Sequence, residues 1–84
     1  MDDQQIQAEI EALEERQRQL RHQEGELAEQ PEAVAPLRDQ LEQIRVELDR
    51  LWDLLRQRRA LRDSGGDPDE ASERDAGTVE GYLS

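Results

Sequence analysis

From Leu37 onward the apolar residues Leu37, Leu41, Ile44, Leu48, Leu51 and Leu55 are separated by four, three, four, three and four positions, the spacing of one stripe on an α-helix. A second stripe runs through Ile6, Ile10, Leu13, Leu20 and Leu27, with Gln17 and Glu24 falling where it would otherwise stay apolar. The pattern predicts helix 1 over about 3–29 and helix 2 over about 36–62. Asp2 or Asp3 can cap helix 1 while placing negative charge at the positive end of its dipole. Gly25 costs about 1 kcal/mol relative to Ala inside a helix, so helix 1 ends either there or near Glu29.

Pro31 and Pro36 frame the segment between the helices. A proline in a helix interior lacks its amide donor and crowds the preceding turn, so a loop over 30–35 is expected, with Pro36 at the first position of helix 2. Ser64-Gly65-Gly66 then stops helix 2 after a cationic last turn. An antiparallel hairpin follows, in which Leu13 lies opposite Leu51, Leu20 opposite Ile44, and Leu27 opposite Leu37. This register sets the acidic start of helix 1, from Asp2 to Glu15, beside Arg56, Arg58, Arg59 and Arg62. It also sets Arg16, Arg18 and Arg21 near Glu42, Glu47 and Asp49. Exposed pairs contribute only about 0.2–1 kcal/mol each, so they select orientation more than they supply stability.

The apolar face of helix 2 widens toward its end, where Trp52 flanks the stripe on one side and Leu54 and Leu61 on the other. A face wider than a two-helix seam needs more than one neighbour. A lone hairpin buries its leucines on one side only, which is marginal for so short a chain. The expected fold is therefore all-α: an antiparallel, coiled-coil-like two-helix hairpin over 1–62 that dimerises into a four-helix bundle. Its core and oligomer interface are assigned to Ile6, Ile10, Leu13, Leu20, Leu41, Ile44, Leu48, Leu51, Trp52 and Leu55.

Beyond helix 2, residues 63–84 carry Asp63, Asp67, Asp69, Glu70, Glu73, Asp75 and Glu80 against the single cation Arg74. That composition predicts an acidic, largely flexible tail. Asp67-Pro68 resembles a helix start, so a short helix over 68–74 is a candidate within it. Val79, Tyr82 and Leu83 form a more apolar ending, a candidate motif for docking on the bundle or on a partner.

Charge and chemistry narrow the function classes. With 84 residues and a formal charge of −11, the chain repels nucleic-acid phosphates and anionic membranes. The expected partners are a second copy and proteins with basic or apolar surfaces, not nucleic acid or membrane. All the cations are arginines, from which no function follows. There is no Cys, the start Met1-Asp2-Asp3-Gln4 is unlike a signal peptide, and no apolar run is long enough to span a bilayer, so a cytoplasmic location is expected. His22 stands alone on a polar face without a nucleophile in any motif spacing, and Glu14 and Glu15 point to different helix faces. No catalytic residue, cofactor or metal site is assigned, and no enzyme is expected. Asp67 and Asp69 hint at a calcium loop, but Ala71 occupies the next ligand position, and a helix cap accounts for them. The cluster Arg56, Arg58, Arg59 and Arg62 is read as pairing within the hairpin.

The run Glu47-Leu48-Asp49-Arg50-Leu51-Trp52-Asp53-Leu54-Leu55-Arg56-Gln57-Arg58-Arg59-Ala60, the landmarks Gly66-Asp67-Pro68 and Val79-Glu80-Gly81-Tyr82-Leu83, and the start Asp2-Asp3-Gln4-Gln5-Ile6 resemble a family of short actinobacterial proteins of unknown function. Members commonly carry Glu-Glu-His in helix 1, whereas here Glu14-Glu15 is followed by Arg16. The resemblance implies a cytoplasmic, actinobacterial setting and brings no activity or cofactor. The functional expectation is a non-enzymatic helical protein-interaction module that self-associates. The alternative is a regulator of the transcription machinery whose acidic tip (Glu24, Glu26, Glu29, Glu32) enters a basic channel.

Overall fold

The computed structural model describes residues 1–83, with side chains through Tyr82. Three α-helices occur among them, α1 (Asp3–Glu26), α2 (Pro31–Asp63) and α3 (Ala76–Leu83), with a single 3₁₀ turn at Pro68–Glu70 and no strand among the described residues. The molecule is a rod of 54 × 25 × 14 Å. Its shape follows from α1 and α2 running back to back as a hairpin.

At the start of α1 a capping box closes the free amides. Asp2 Oδ1 accepts from the Gln5 amide at 2.8 Å, and Gln5 Oε1 accepts from the Asp2 amide at 2.8 Å. The helix stops at Glu26, immediately after Gly25 and short of Glu29, and a tight turn carries the chain to Gln30.

No loop spans 30–35, because α2 begins at Pro31, five residues earlier than expected. Pro31 takes the first helical position, where its missing donor costs nothing. The apolar stripe extends backward as well: Val34 precedes Leu37 by one turn, and the two are only 4% and 9% exposed. Burying Val34 offsets the presence of Pro36 inside the helix, which cannot donate to the Glu32 carbonyl.

The core lies at the open end of the hairpin, where Ile6 and Ile10 meet Leu48, Leu51, Leu54 and Leu55, with Leu13, Ile44 and Ala71 packed against them. Leu13 and Leu51 thus share one cluster, as the register requires. The cross-helix pairs Asp3–Arg62 at 3.0 Å and Glu24–Arg38 at 3.1 Å place the two ends within about one turn of it. The central charge pattern differs from expectation. Arg18 pairs with Glu15 of its own helix, while Glu42 and Asp49 are taken by Arg45 of theirs. Intrahelical partners three or four residues away outcompete those across the seam because less chain must be ordered to reach them.

Trp52 is 43% exposed and stands outside the core of this chain. The expectations for residues 63–84 are corrected. The tail folds back on α2, with Val79 wholly buried and Ala71 against the core cluster. The candidate helix over 68–74 shrinks to the turn Pro68–Glu70, because Ala71 adopts an extended backbone (φ −69°, ψ 142°). Much of the extra breadth of the α2 face is therefore covered by the chain's own C-terminal segment.

Candidate functional site

The C-terminal half of α2 is a polar groove built from residues one or two turns apart, and residues 68–82 lie along it as a strap. Three α2 side chains donate to strap carbonyls: Arg58 Nη1 to Pro68 at 3.1 Å, Gln57 Nε2 to Ser72 at 2.8 Å, and Arg50 Nε to Arg74 at 3.0 Å. Donors aimed at main-chain oxygens hold an extended segment whatever its side chains. The ion pairs Arg58–Asp69 at 3.1 Å and Arg45–Glu80 at 3.1 Å add side-chain contacts at the two ends of the strap.

Arg58 is buried, at 6% exposure, and its Nε also donates to Asp3 Oδ1, so one guanidinium joins α1, α2 and the strap. Asp53 is buried too (4% exposed), accepting from Gln57 Nε2 at 2.9 Å with Arg74 Nε 3.6 Å away. Such partners offset the cost of taking a polar side chain out of water.

Like charges also meet across the groove. Arg45 is shared by Glu42, Asp49 and Glu80, and Arg50 lies 3.6 Å from Glu47 and 4.0 Å from Glu73. Burial and then the Glu73 carboxylate push Glu47 above the usual glutamate range; burial and then Glu80 do the same to Asp49. Hydrogen bonding to Arg58 holds Asp3 below the ordinary range.

Asp75 ends the extended part of the strap by capping α3, its carboxylate accepting from the Thr78 amide at 3.0 Å. Within α3, Val79 points inward, while Tyr82 is 63% exposed. The Tyr82 hydroxyl accepts from Arg74 Nη1 at 2.7 Å, and the Arg74 guanidinium lies 5.3 Å from the ring centroid. Beside them opens a cavity of about 460 Å³ lined by Asp53, Arg56, Gln57, Ala60, Arg74 and Tyr82. The side chain of Leu83, third residue of the candidate motif, lies outside the described residues.

A second surface runs along the other flank of α2. Leu41, Leu48 and Trp52 share it by helical spacing, with Leu41 half-buried, Leu48 buried and Trp52 exposed. Leu13 and Ile44, also half-buried, border the same seam. Ile6, Ile10, Leu20, Leu51 and Leu55 are closed inside the hairpin.

Arg50, Gln57 and Arg74, which sequence reasoning passed over, organise the strap. The signal for Arg50 and Gln57 was a polar ridge at helical spacing beside the leucine stripe, but a ridge does not announce which carbonyls it will meet. His22 pairs with Glu26 at 2.8 Å on the exposed face, and Glu24 with Arg38, so two of the four tip carboxylates have basic partners. Among the described residues no group of three His, Cys, Asp or Glu side chains is placed to hold a metal ion, and no helix is long and apolar enough to cross a membrane.

A family model described as "Protein of unknown function (DUF2630)" matches residues 2–84. Uncharacterized proteins of Mycobacterium bovis and Mycobacterium tuberculosis are 55% identical over 65 residues, which span 77% of this chain and 67% of theirs. No solved structure matches.

Proposed function

Since the chain belongs to this family of proteins of unknown function, DUF2630, we propose that it is a cytoplasmic, non-enzymatic helical interaction module that self-associates, the hairpins of two copies forming a four-helix bundle. Trp52 is the observation that carries this reading. An indole 43% exposed, on the same flank of α2 as Leu48 one turn away and the half-buried Leu41 farther along, makes an apolar flank along the hairpin, and a second copy offers the same flank by two-fold symmetry.

Trp52 is the one Trp in the sequence, so its emission reports on this surface without interference. Sedimentation velocity across a micromolar concentration series is expected to show a dimer, with Trp52 emission shifting to the blue as it forms. Trp52→Ala is expected to weaken association by on the order of 10-fold or more, the scale of a central aromatic anchor. A species that stays monomeric with unchanged emission at every concentration overturns the reading.

The exposed Glu29 and Glu32 near the hairpin turn support a second reading, in which the acidic tip enters a basic channel of the transcription machinery. Neutralising Glu24, Glu26, Glu29 and Glu32 together separates the two. Self-association survives if the first holds, and an effect on transcription is lost if the second does.

A further inference from the structure

The strap is held to the rest of the fold chiefly by α2, with Ala71 also packed against the core cluster that Ile6 and Ile10 share. Neither the 3₁₀ turn nor α3 packs its backbone against α1, and the side chains that hold the strap, Arg45, Arg50, Asp53, Gln57 and Arg58, all belong to α2. None of those contacts requires that the strap and α2 belong to one molecule. Any segment carrying the same carbonyls, Asp69, Arg74, Val79 and Glu80 would satisfy them, and a second copy of the chain carries all of these.

The connection between α2 and the strap is built to reverse. Ser64, Gly65 and Gly66 fold back on the last turn of α2, with the Gly66 amide donating to the Leu61 carbonyl at 2.7 Å. Gly65 takes φ +82°, a conformation costly to other residues, and a Cβ at Gly66 would come within 3.2 Å of Leu61 Cδ2. Opened to an extended form, the four residues 64–67 span about 13 Å, enough to carry the strap away from its own helix. Tight glycine hinges of this kind are where identical elements exchange between protomers.

We infer that residues 68–82 are an exchangeable strap, and that in the self-associated form the strap of one copy lies in the α2 groove of the other. This rests on the self-association proposed above and adds its route. Closed and exchanged straps make the same contacts, so the balance is set by hinge conformation, by concentration and by the Trp52 flank that a second copy covers. The shared arginines keep either docking reversible, because Arg45 divides itself between α2 carboxylates and Glu80.

A charge-swap mixing experiment tests this with the full chain. Arg45→Glu alone puts its own groove against Glu80, and Glu80→Arg alone sets its strap against Arg45. Mixed, the unaltered groove of the second variant receives the unaltered strap of the first, and the groove made acidic by Arg45→Glu receives the strap made basic by Glu80→Arg, so complementarity returns only between unlike copies. Native mass spectrometry, which separates the two variants by mass, is expected to show the heterodimer at several times the homodimer population. A chain carrying both substitutions is expected to behave as wild type. A statistical mixture, with heterodimer at half of all dimer, overturns exchange while leaving self-association standing. No dimer in the mixture or in the wild type overturns both. Deleting Gly65 and Gly66 gives an independent reading: a strap too short to reach its own groove is expected to make the dimer obligatory, and a monomer with a released strap refutes the exchange.

Discussion

Arg58 and Asp3, 55 positions apart, are joined by a hydrogen bond from the guanidinium Nε to the carboxylate Oδ1 beneath the 3₁₀ turn. The same Arg58 holds the Pro68 carbonyl and Asp69, and Asp3 also receives Arg62 at 3.0 Å. The start of α1 and the start of the strap are thereby referred to one turn of α2.

Arg58→Met keeps the apolar stem and removes the charge, leaving Asp3, Asp69 and the Pro68 carbonyl without their shared donor. The melting temperature is expected to fall by roughly 5 °C or more. Proteolysis of residues 63–84 is expected to speed up in parallel, since the strap loses its first anchor. Arg62→Met touches only Asp3 from an exposed position and is expected to do little. Equal effects of the two substitutions, read by circular dichroism melts, would remove the special role given to Arg58.

Pro36→Ala tests the early start of α2. Within a helix the substitution restores a donor to the Glu32 carbonyl and removes the ring clash, outweighing the entropy that proline takes from the unfolded chain. Stability is expected to rise by about 1 kcal/mol in urea titration. Were 30–35 a loop with Pro36 at the first helical position, the same change would be neutral or slightly destabilising.

The hairpin was legible because its determinants are local: the stripe from Leu37 to Leu55, the Asp2 cap and the stop at Ser64-Gly65-Gly66 each act within a turn or two. Pro36 was misread because the rule against internal proline was weighed without Val34, whose burial decides the matter. The strap was hidden for a different reason. Gly77 and Gly81 depress helix propensity in α3, and its acidic composition matches that of a disordered segment. What folds it is long-range: Arg50, Gln57 and Arg58 supply donors for its carbonyls, and α2 supplies a place for Val79. Trp52 was legible as the flank of the stripe from helical spacing alone, and it stands exposed there.

Val79→Ala removes methyl groups from a fully buried site, a loss of about 1.5 kcal/mol. Because α3, which carries Val79, packs on α2 and not on α1, the loss is expected to appear as local release rather than global unfolding. Hydrogen exchange should accelerate at 76–82 while the amides of 6–20 and 44–58 keep their protection. Uniform acceleration across both regions would mean that strap and hairpin unfold as one unit.

Acid titration is expected to raise stability before lowering it. Glu47 and Asp49 sit above their usual 4.5 and 3.8, through burial first and the facing Glu73 and Glu80 carboxylates next. The folded chain therefore binds these protons more readily than the unfolded one, and stability grows as pH falls through their raised values. Asp3, Glu42 and Asp75 are held below their usual 3.8, 4.5 and 3.8, chiefly by Arg58, Arg45 and Thr78, so their contribution is present above those values and lost as pH drops through the lowered ones. The melting temperature is expected to rise as pH falls from neutral toward the ordinary carboxylate range and to fall below that range. Glu73→Gln removes the charge that faces Glu47 at the cost of only a 4.0 Å contact with Arg50, so it should lift the neutral-pH value and flatten the rise. A melting temperature that declines steadily from pH 7 downward in the wild type would show that the like-charge contacts between α2 and the strap carry no strain.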